Sequence, residues 1–320
     1  MTASIPRSLL APSPAWAEWA RGRGAAQGIR VLSGRELPPA GAVALVGFPH
    51  DLGVRLNGGR RGADQGPTAI RSALGRYGSE ALSVPGLPSV VDVGDVVPAA
   101  TLDETHHRVT EVVLALLSAG CLPVGLGGGH DLTYPQVRAL ARALEEGASG
   151  KGSPFTGIYL DAHLDVRERP GSGMSFRRIL EELDPVALHV RGLDPMVNSA
   201  EHLAWFRSRG GETEGFGPGD PWPSGQLFVS LDLDVLDQAF APGVSAPNPV
   251  GWSPAQVEAW VHRAGSEPGT RLFDLMELSP RWDPEGRTAR LAARLLLAFL
   301  RGVAARSADT GHPDSPNHAT

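Results

Sequence analysis

Short apolar runs punctuate the chain from Ala42 onward, and amphipathic stretches fill the gaps between them. The runs stand at Val43–Phe48, Val90–Val93, Leu122–Leu126, Gly157–Leu160, Val186–Val190, Leu227–Leu231 and Arg271–Leu275. Their shortness and aliphatic content predict strands. Gly66-Pro67-Thr68 opens a predicted helix over 67–77, where proline suits the first turn. Thr101 caps a second, which sets Val109, Val112, Val113, Leu116 and Leu117 at helical spacing. Further helices are predicted over 132–146, 175–183, 199–209, 254–264 and 285–304. Strand–helix alternation over the whole length predicts an α/β fold, a mostly parallel central sheet with helices on both faces.

No internal repeat and no break in composition marks a second domain, so residues 41–306 read as one domain. Residues 1–40 are rich in Pro, Gly and Ala and hold Trp16 and Trp19; they are expected to form an N-terminal arm packed on that body. Segment 210–225 reads as a surface loop, and residues 307–320, polar with Pro313 and Pro316, as a disordered tail.

Composition narrows the function classes. The formal net charge is -6, the charges are mixed, and Lys151 is the only lysine among 29 basic residues, which argues against a nucleic-acid partner. No apolar stretch approaches the length of a membrane span or of a signal peptide. The only cysteine, Cys121, excludes an intramolecular disulfide and reads as a buried, inert thiol. These features point to a cytoplasmic protein.

The chemistry concentrates where predicted strands end. Gly127-Gly128-Gly129-His130-Asp131 follows the run ending at Leu126, Asp161-Ala162-His163-Leu164-Asp165 follows Leu160, and Asp232-Leu233-Asp234 follows Leu231. In an open parallel sheet, ligands bind beyond the carboxyl ends of the strands. Residues two apart on a strand point the same way, so each acidic run aims its donors at a common point. Neighbouring carboxylates repel unless a cation neutralises them. Two imidazoles and four carboxylates, with no thiolate, favour Mn2+, with Mg2+ and Fe2+ open, over a thiolate zinc site. Four negative charges balance two divalent ions, and a water bridging such a pair loses a proton near neutral pH.

This set, completed by Ser230 and by Glu277 in Phe273-Asp-Leu-Met-Glu277-Leu-Ser-Pro280, resembles the ureohydrolase superfamily of arginases, agmatinases and formimidoylglutamases over Gly47 to Arg294. The resemblance implies a three-layer α/β/α sandwich, two Mn2+ per subunit, a small-molecule substrate and a homo-oligomer. It implies that His130 and Asp165 hold one ion and His163 and Asp234 the other, with Asp161 and Asp232 bridging. It also implies a C–N hydrolase working by attack of a metal-bridging hydroxide, with Glu277 binding the amidinium and Asp165 passing the proton to the leaving nitrogen.

Three stretches lean toward the formimidoylglutamases, which convert N-formimidoyl-L-glutamate to L-glutamate and formamide in histidine degradation. They are Gly47–Pro67, Ser172-Gly173-Met174-Ser175-Phe176-Arg177, and Glu277–Arg290. Phe176 stands where arginases have a histidine, while Met174-Ser175 and Leu278-Ser279 depart mildly from the subfamily pattern. Such a substrate carries two carboxylates, which calls for arginine forks. Among Arg60, Arg61, Arg167, Arg177 and Arg178, the preferred substrate contacts are Arg60 and Arg177, with Ser172 and Asn198 as neutral donors. Rival readings are an agmatinase or guanidinobutyrase, an arginase-type urea-releasing enzyme, a one-zinc deacetylase, and a non-catalytic scaffold. His50 reads as a pocket residue or a loop histidine beside Asp51, and His106 and His107 as solvated residues at a polar helix start.

Overall fold

The computed structural model describes residues 5, 7–19, 24–32, 36–147 and 154–309. Its strands are β1 (Leu10–Ala11), β2 (Ile29–Val31), β3 (Val43–Gly47), β4 (Val90–Val96), β5 (Leu122–Leu126), β6 (Phe155–Leu160), β7 (Ala187–Arg191), β8 (Gly211–Glu212), β9 (Gln226–Asp232) and β10 (Thr270–Met276). They form one sheet in the order β1-β4-β3-β5-β10-β9-β6-β7-β8, with β2 also paired to β4. Every pairing is parallel except β1 with β4. The helices are α1 (Trp16–Trp19), α2 (Leu52–Leu56), α3 (Gly66–Leu74), α4 (Leu102–Ser118), α5 (Thr133–Gly147), α6 (Ser175–Glu182), α7 (Ala200–Ser208), α8 (Pro254–Ser266) and α9 (Arg287–Asp309).

The apolar alternation explains the layers. On one face Val43, Leu45, Val124, Leu126, Val229, Leu231, Phe273 and Leu275 pack with α3, α8 and α9. On the other, Ala44, Val46, Val91, Val93, Tyr159, Phe228 and Met276 pack with α4, α5, α6 and α7. Central strands covered on both sides need apolar residues at nearly every position, which is how they read. The phenyl rings of Phe273 and Phe299 stack at 4.2 Å between β10 and α9. Thr101 caps α4 by accepting from the Glu104 amide, and Ser253 with Gln256 forms a capping box on α8.

Three strands escape the apolar pattern. β1 and β2, from the stretch expected to be an arm, extend the sheet along the free edge of β4. β8 lies inside the expected loop 210–225 and pairs with β7. Strands of two or three residues carry no legible period. The last helix reaches Asp309, and the tail from residue 310 lies outside the described residues.

β4 also runs three residues past its apolar segment because its acids are paired. Buried Arg71 of α3 donates to Asp92 (Nε to Oδ2, 2.6 Å; Nη2 to Oδ1, 3.0 Å) and to Asp95 (Nη1 to Oδ1, 2.6 Å). Removing one partner of a buried ion cluster leaves an uncompensated charge. Arg71→Met is therefore expected to lower stability by about 3–5 kcal/mol, seen in urea as a lower midpoint at unchanged slope.

Candidate metal centre

Four adjacent central strands, β5, β10, β9 and β6, deliver the site from their carboxyl ends. After β5 the chain turns through Gly127 (φ 63°) and Gly128 (φ 86°) into a short 3-10 turn that starts at His130. A Cβ on Gly128 would lie 2.3 Å from the Phe48 carbonyl oxygen, so no larger residue fits beneath the histidine.

The two acidic runs owe their shared direction to turns rather than to strand pleating. β6 ends at Leu160 and β9 at Asp232, before the second donor of each run. Asp161 Oδ1 accepts from the His163 amide at 2.6 Å, and Asp232 Oδ1 from the Asp234 amide at 2.8 Å. Each aspartate thus bends its own backbone and leaves its second oxygen for the site. The Asn198 amide holds the first run: Oδ1 accepts from Leu164 N, and Nδ2 donates to the carbonyls of Ala162 and Asp194.

The donors converge in two groups: His130, Asp161, Asp165 and Asp232, and Asp161, His163 and Asp234, with ligand atoms inside each group within 4.8 Å of one another. Asp161 belongs to both. His130 Nδ1 lies 3.1 Å from Asp161, 3.0 Å from Asp165 and 3.1 Å from Asp232. His163 Nδ1 lies 3.3 Å from Asp161 and 3.0 Å from Asp234.

Behind His130, Ser230 Oγ lies 3.0 Å from Nε2 and donates its own proton to Asp274 Oδ1 at 2.6 Å. Asp274 Oδ2 accepts from Thr133 and Gln136. Ser230 can therefore only accept from the ring, which fixes the Nε2–H tautomer and turns a bare Nδ1 lone pair toward three carboxylates. Nδ1 of His130, Oδ2 of Asp161, Oδ1 of Asp234 and Oε2 of Glu277 are buried without a hydrogen-bond partner. Donor atoms gathered within 4.8 Å of one another in each group fit a hard divalent cation between them.

The electrostatics agree. Burial, reinforced by Asp234 and Asp165, pushes Asp161 up to about 6, and burial with Asp234 raises Asp232. Burial alone would lower both imidazoles, but the surrounding carboxylates raise His130 and His163. Protons thus compete for the place of a cation.

Two site residues store backbone strain: Asp165 (φ 49°) and Glu277 (φ 69°) sit in the left-handed region, disfavoured for non-glycine residues. Glu277 Oε1 accepts from the His130 amide at 2.7 Å, its own amide donates to Gly128 O at 3.0 Å, and burial pushes its carboxyl up to about 8. Its free oxygen faces a cavity of about 250 Å3 shared with His163, Asp165, Asp232 and Asp234.

Ser172 and Asn198 line this cavity, although the Asn198 amide is committed to the Asp161–Asp165 run. The two preferred arginines do not line it. Arg60 Nε and Nη2 donate to the carbonyls of Pro242 and Val244, and its guanidinium lies over Trp282. Arg177 is held by Glu168 and Glu181 and stacks on Trp205. Both are spent on neighbouring loops and helices. The arginine in the wall is Arg167, whose Nη1 donates to Asn57 Oδ1 at 3.0 Å. Asn57, His202 and Ser245 also line the cavity; Asn57 lies in the Gly47–Pro67 stretch, whereas His202 and Ser245 lie outside every motif and carry no pattern that singles them out.

Phe176 is buried beneath the site, stacked on Tyr159 at 3.5 Å and edge-on to His130 at 5.2 Å. His106, expected to be solvated, is buried and bonded to Asp131 at 2.9 Å, because the start of α4 packs against the His130 turn; His107 is exposed. His50 is buried near them, its pKa lowered by burial. Cys121 is buried. Among the described residues no helix is long and apolar enough to cross a membrane.

A parallel α/β/α sandwich that gathers oxygen and imidazole donors at its central strand ends defines a metallohydrolase class. The arginase family model matches residues 41–210 and 220–301, and the chain belongs to that family. It is 36% identical over 309 residues to a formimidoylglutamase of Aromatoleum aromaticum, covering 86% of each chain. It is 37% identical over 279 residues to one of Rhodococcus jostii, covering 80% of this chain and 84% of the relative. Among solved structures it resembles a Trypanosoma cruzi formiminoglutamase crystallised with Mn2+, at TM-score 0.73 and 30% identity, covering 83% of this chain and 94% of that one. A proclavaminate amidino hydrolase of Streptomyces clavuligerus gives TM-score 0.72 at 26% identity, covering 94% and 99%.

Two outcomes are expected. Ser230→Ala should weaken Mn2+ binding by about 10–100-fold, as measured by competition with a chelator, because the ring loses its orienting partner. Mn2+ added to chelator-stripped protein should raise the unfolding free energy by about 2.7 kcal/mol per bound ion at a hundredfold excess over its dissociation constant, read from denaturant melts.

Proposed function

We propose that this chain is a manganese-dependent hydrolase that cleaves N-formimidoyl-L-glutamate to L-glutamate and formamide. The observation that carries the reading is the convergence of His130 Nδ1, Asp161, Asp165, Asp232, His163 and Asp234 in two groups that share Asp161, with His163, Asp165, Asp232, Asp234 and Glu277 lining one cavity. The relatives named formimidoylglutamase support the substrate.

The six donors would hold two Mn2+, His130, Asp161, Asp165 and Asp232 forming one group and Asp161, His163 and Asp234 the other. Bound divalent ions supply a water acidified enough to act as nucleophile and Lewis-acid stabilisation of developing charge. Glu277 Oε2 accepts an N–H of the amidinium and holds its carbon in the cavity; Oε1 is already held by the His130 amide, which leaves the unpartnered Oε2 for that cation. Asp165, at the cavity wall, takes a proton on its carboxylate and delivers it to the amino nitrogen of glutamate. Arg167 and Ser172 line the same wall and receive the α-carboxylate. We read the enzyme as cytoplasmic, in keeping with its buried free cysteine, and as a homo-oligomer.

A urea-releasing reaction is the second reading, favoured by the likeness to the amidino hydrolase across 94% of this chain. Product analysis separates the two. Purified Mn2+-loaded protein should release formamide and glutamate from N-formimidoyl-L-glutamate and little urea from agmatine, 4-guanidinobutyrate or arginine. Urea as the main product would overturn the first reading. Asp232→Ala should lose bound metal and turnover together; retention of both would remove the metal basis of the mechanism. Arg167→Ala should raise KM by about tenfold or more, since a hydrogen bond between charged groups is lost.

A further inference from the structure

Outside the metal cavity lies a second, larger hollow, and the two share Asn57, Gly58, Arg167 and His202. These residues form a threshold between the two hollows. On one side, Arg167 is pinned: its amide donates to Gly173 O at 2.7 Å, and its Nη1 to Asn57 at 3.0 Å. A Cβ on Gly173 would lie 3.0 Å from its Cδ, so the stem rests across that glycine. On the other side, His202 stands in the first turn of α7, where its amide donates to the Ser199 cap at 3.1 Å. Its backbone is fixed, yet its half-buried imidazole has no hydrogen bond or ion pair among the described residues.

We infer that His202 is the specificity-determining anchor for the second, side-chain carboxylate of the substrate. This rests on the formimidoylglutamate reading. Arg167 and Ser172 follow Asp165 on the loop that carries the metal donors, which suits them to the carboxylate attached next to the reacting nitrogen. His202 comes from a helix that contributes no metal donor and borders both hollows, so it meets the far end of the molecule. An imidazole carried on a capped helix turn, with no partner to give up, can donate an N–H to a carboxylate at little cost. Of the other cations bordering the outer hollow, Arg177 is occupied by Glu168 and Glu181, and Arg169 is exposed and does not border the metal cavity.

The test compares two substrates on the Mn2+-loaded full chain: N-formimidoyl-L-glutamate and N-formimidoyl-L-2-aminopentanoate, which keeps the α-carboxylate and lacks the second. His202→Ala should lower the ratio of kcat/KM values, glutamate over aminopentanoate, by about tenfold or more, through KM rather than kcat. His202→Gln, which keeps a donor, should recover most of that selectivity, and His202→Glu should reduce it further by like-charge repulsion. A thermal melt of each Mn2+-loaded variant checks folding. Equal losses on both substrates, or an unchanged ratio in all three folded variants, overturn the inference while formamide release by the parent enzyme still stands. If the parent enzyme releases no formamide from N-formimidoyl-L-glutamate, the functional reading falls and takes this one with it.

Discussion

Mutual repulsion among buried carboxylates governs this molecule. Asp161 and Asp232 are buried at the ends of neighbouring strands, with Asp234 beside them, and burial raises the pKa of the first two. Only a concentrated positive charge relieves that arrangement while leaving the acids ionised. The rest of the site answers to the same demand. Ser230 and Asp274 hold His130 in the tautomer whose lone pair points at the cation position. Asn198 fixes the loop of the first run, and Asp165 and Glu277 are kept in strained backbone conformations at its rim.

The sheet order makes such a concentration possible. β5, β10, β9 and β6 come from widely separated parts of the chain yet lie side by side, all parallel. Parallel pairing brings every carboxyl end to one edge, so motifs distant in sequence meet without long loops. Apolar packing covers these strands on both faces. The ion cluster of Arg71 with Asp92 and Asp95 does for the β4 edge what the metal does at the centre, pairing buried acids that would otherwise repel.

The central strands and the clustering of all six candidate donors were legible in the sequence, because a covered parallel strand writes a continuous apolar run and the acids interrupt it at its end. The edge strands were not, since β1, β2 and β8 are too short to carry a period. The common direction of Asp161 with His163, and of Asp232 with Asp234, was foreseen for a different reason than the structure gives: turns closed by the aspartates themselves replace the pleat. The substrate wall was harder. Arg60 and Arg177, preferred as substrate contacts, turn to backbone carbonyls and glutamates, and Arg167 is the arginine that lines the cavity. His106 looked solvated because local polarity says nothing of Asp131 arriving from another loop.

Metal stoichiometry measured alongside formamide release tests the central claim most directly. Protein dialysed anaerobically against graded Mn2+ should bind two ions per subunit, and turnover should rise with occupancy and vanish on chelation. A single bound ion at full activity, or turnover that survives complete removal of metal, would contradict it.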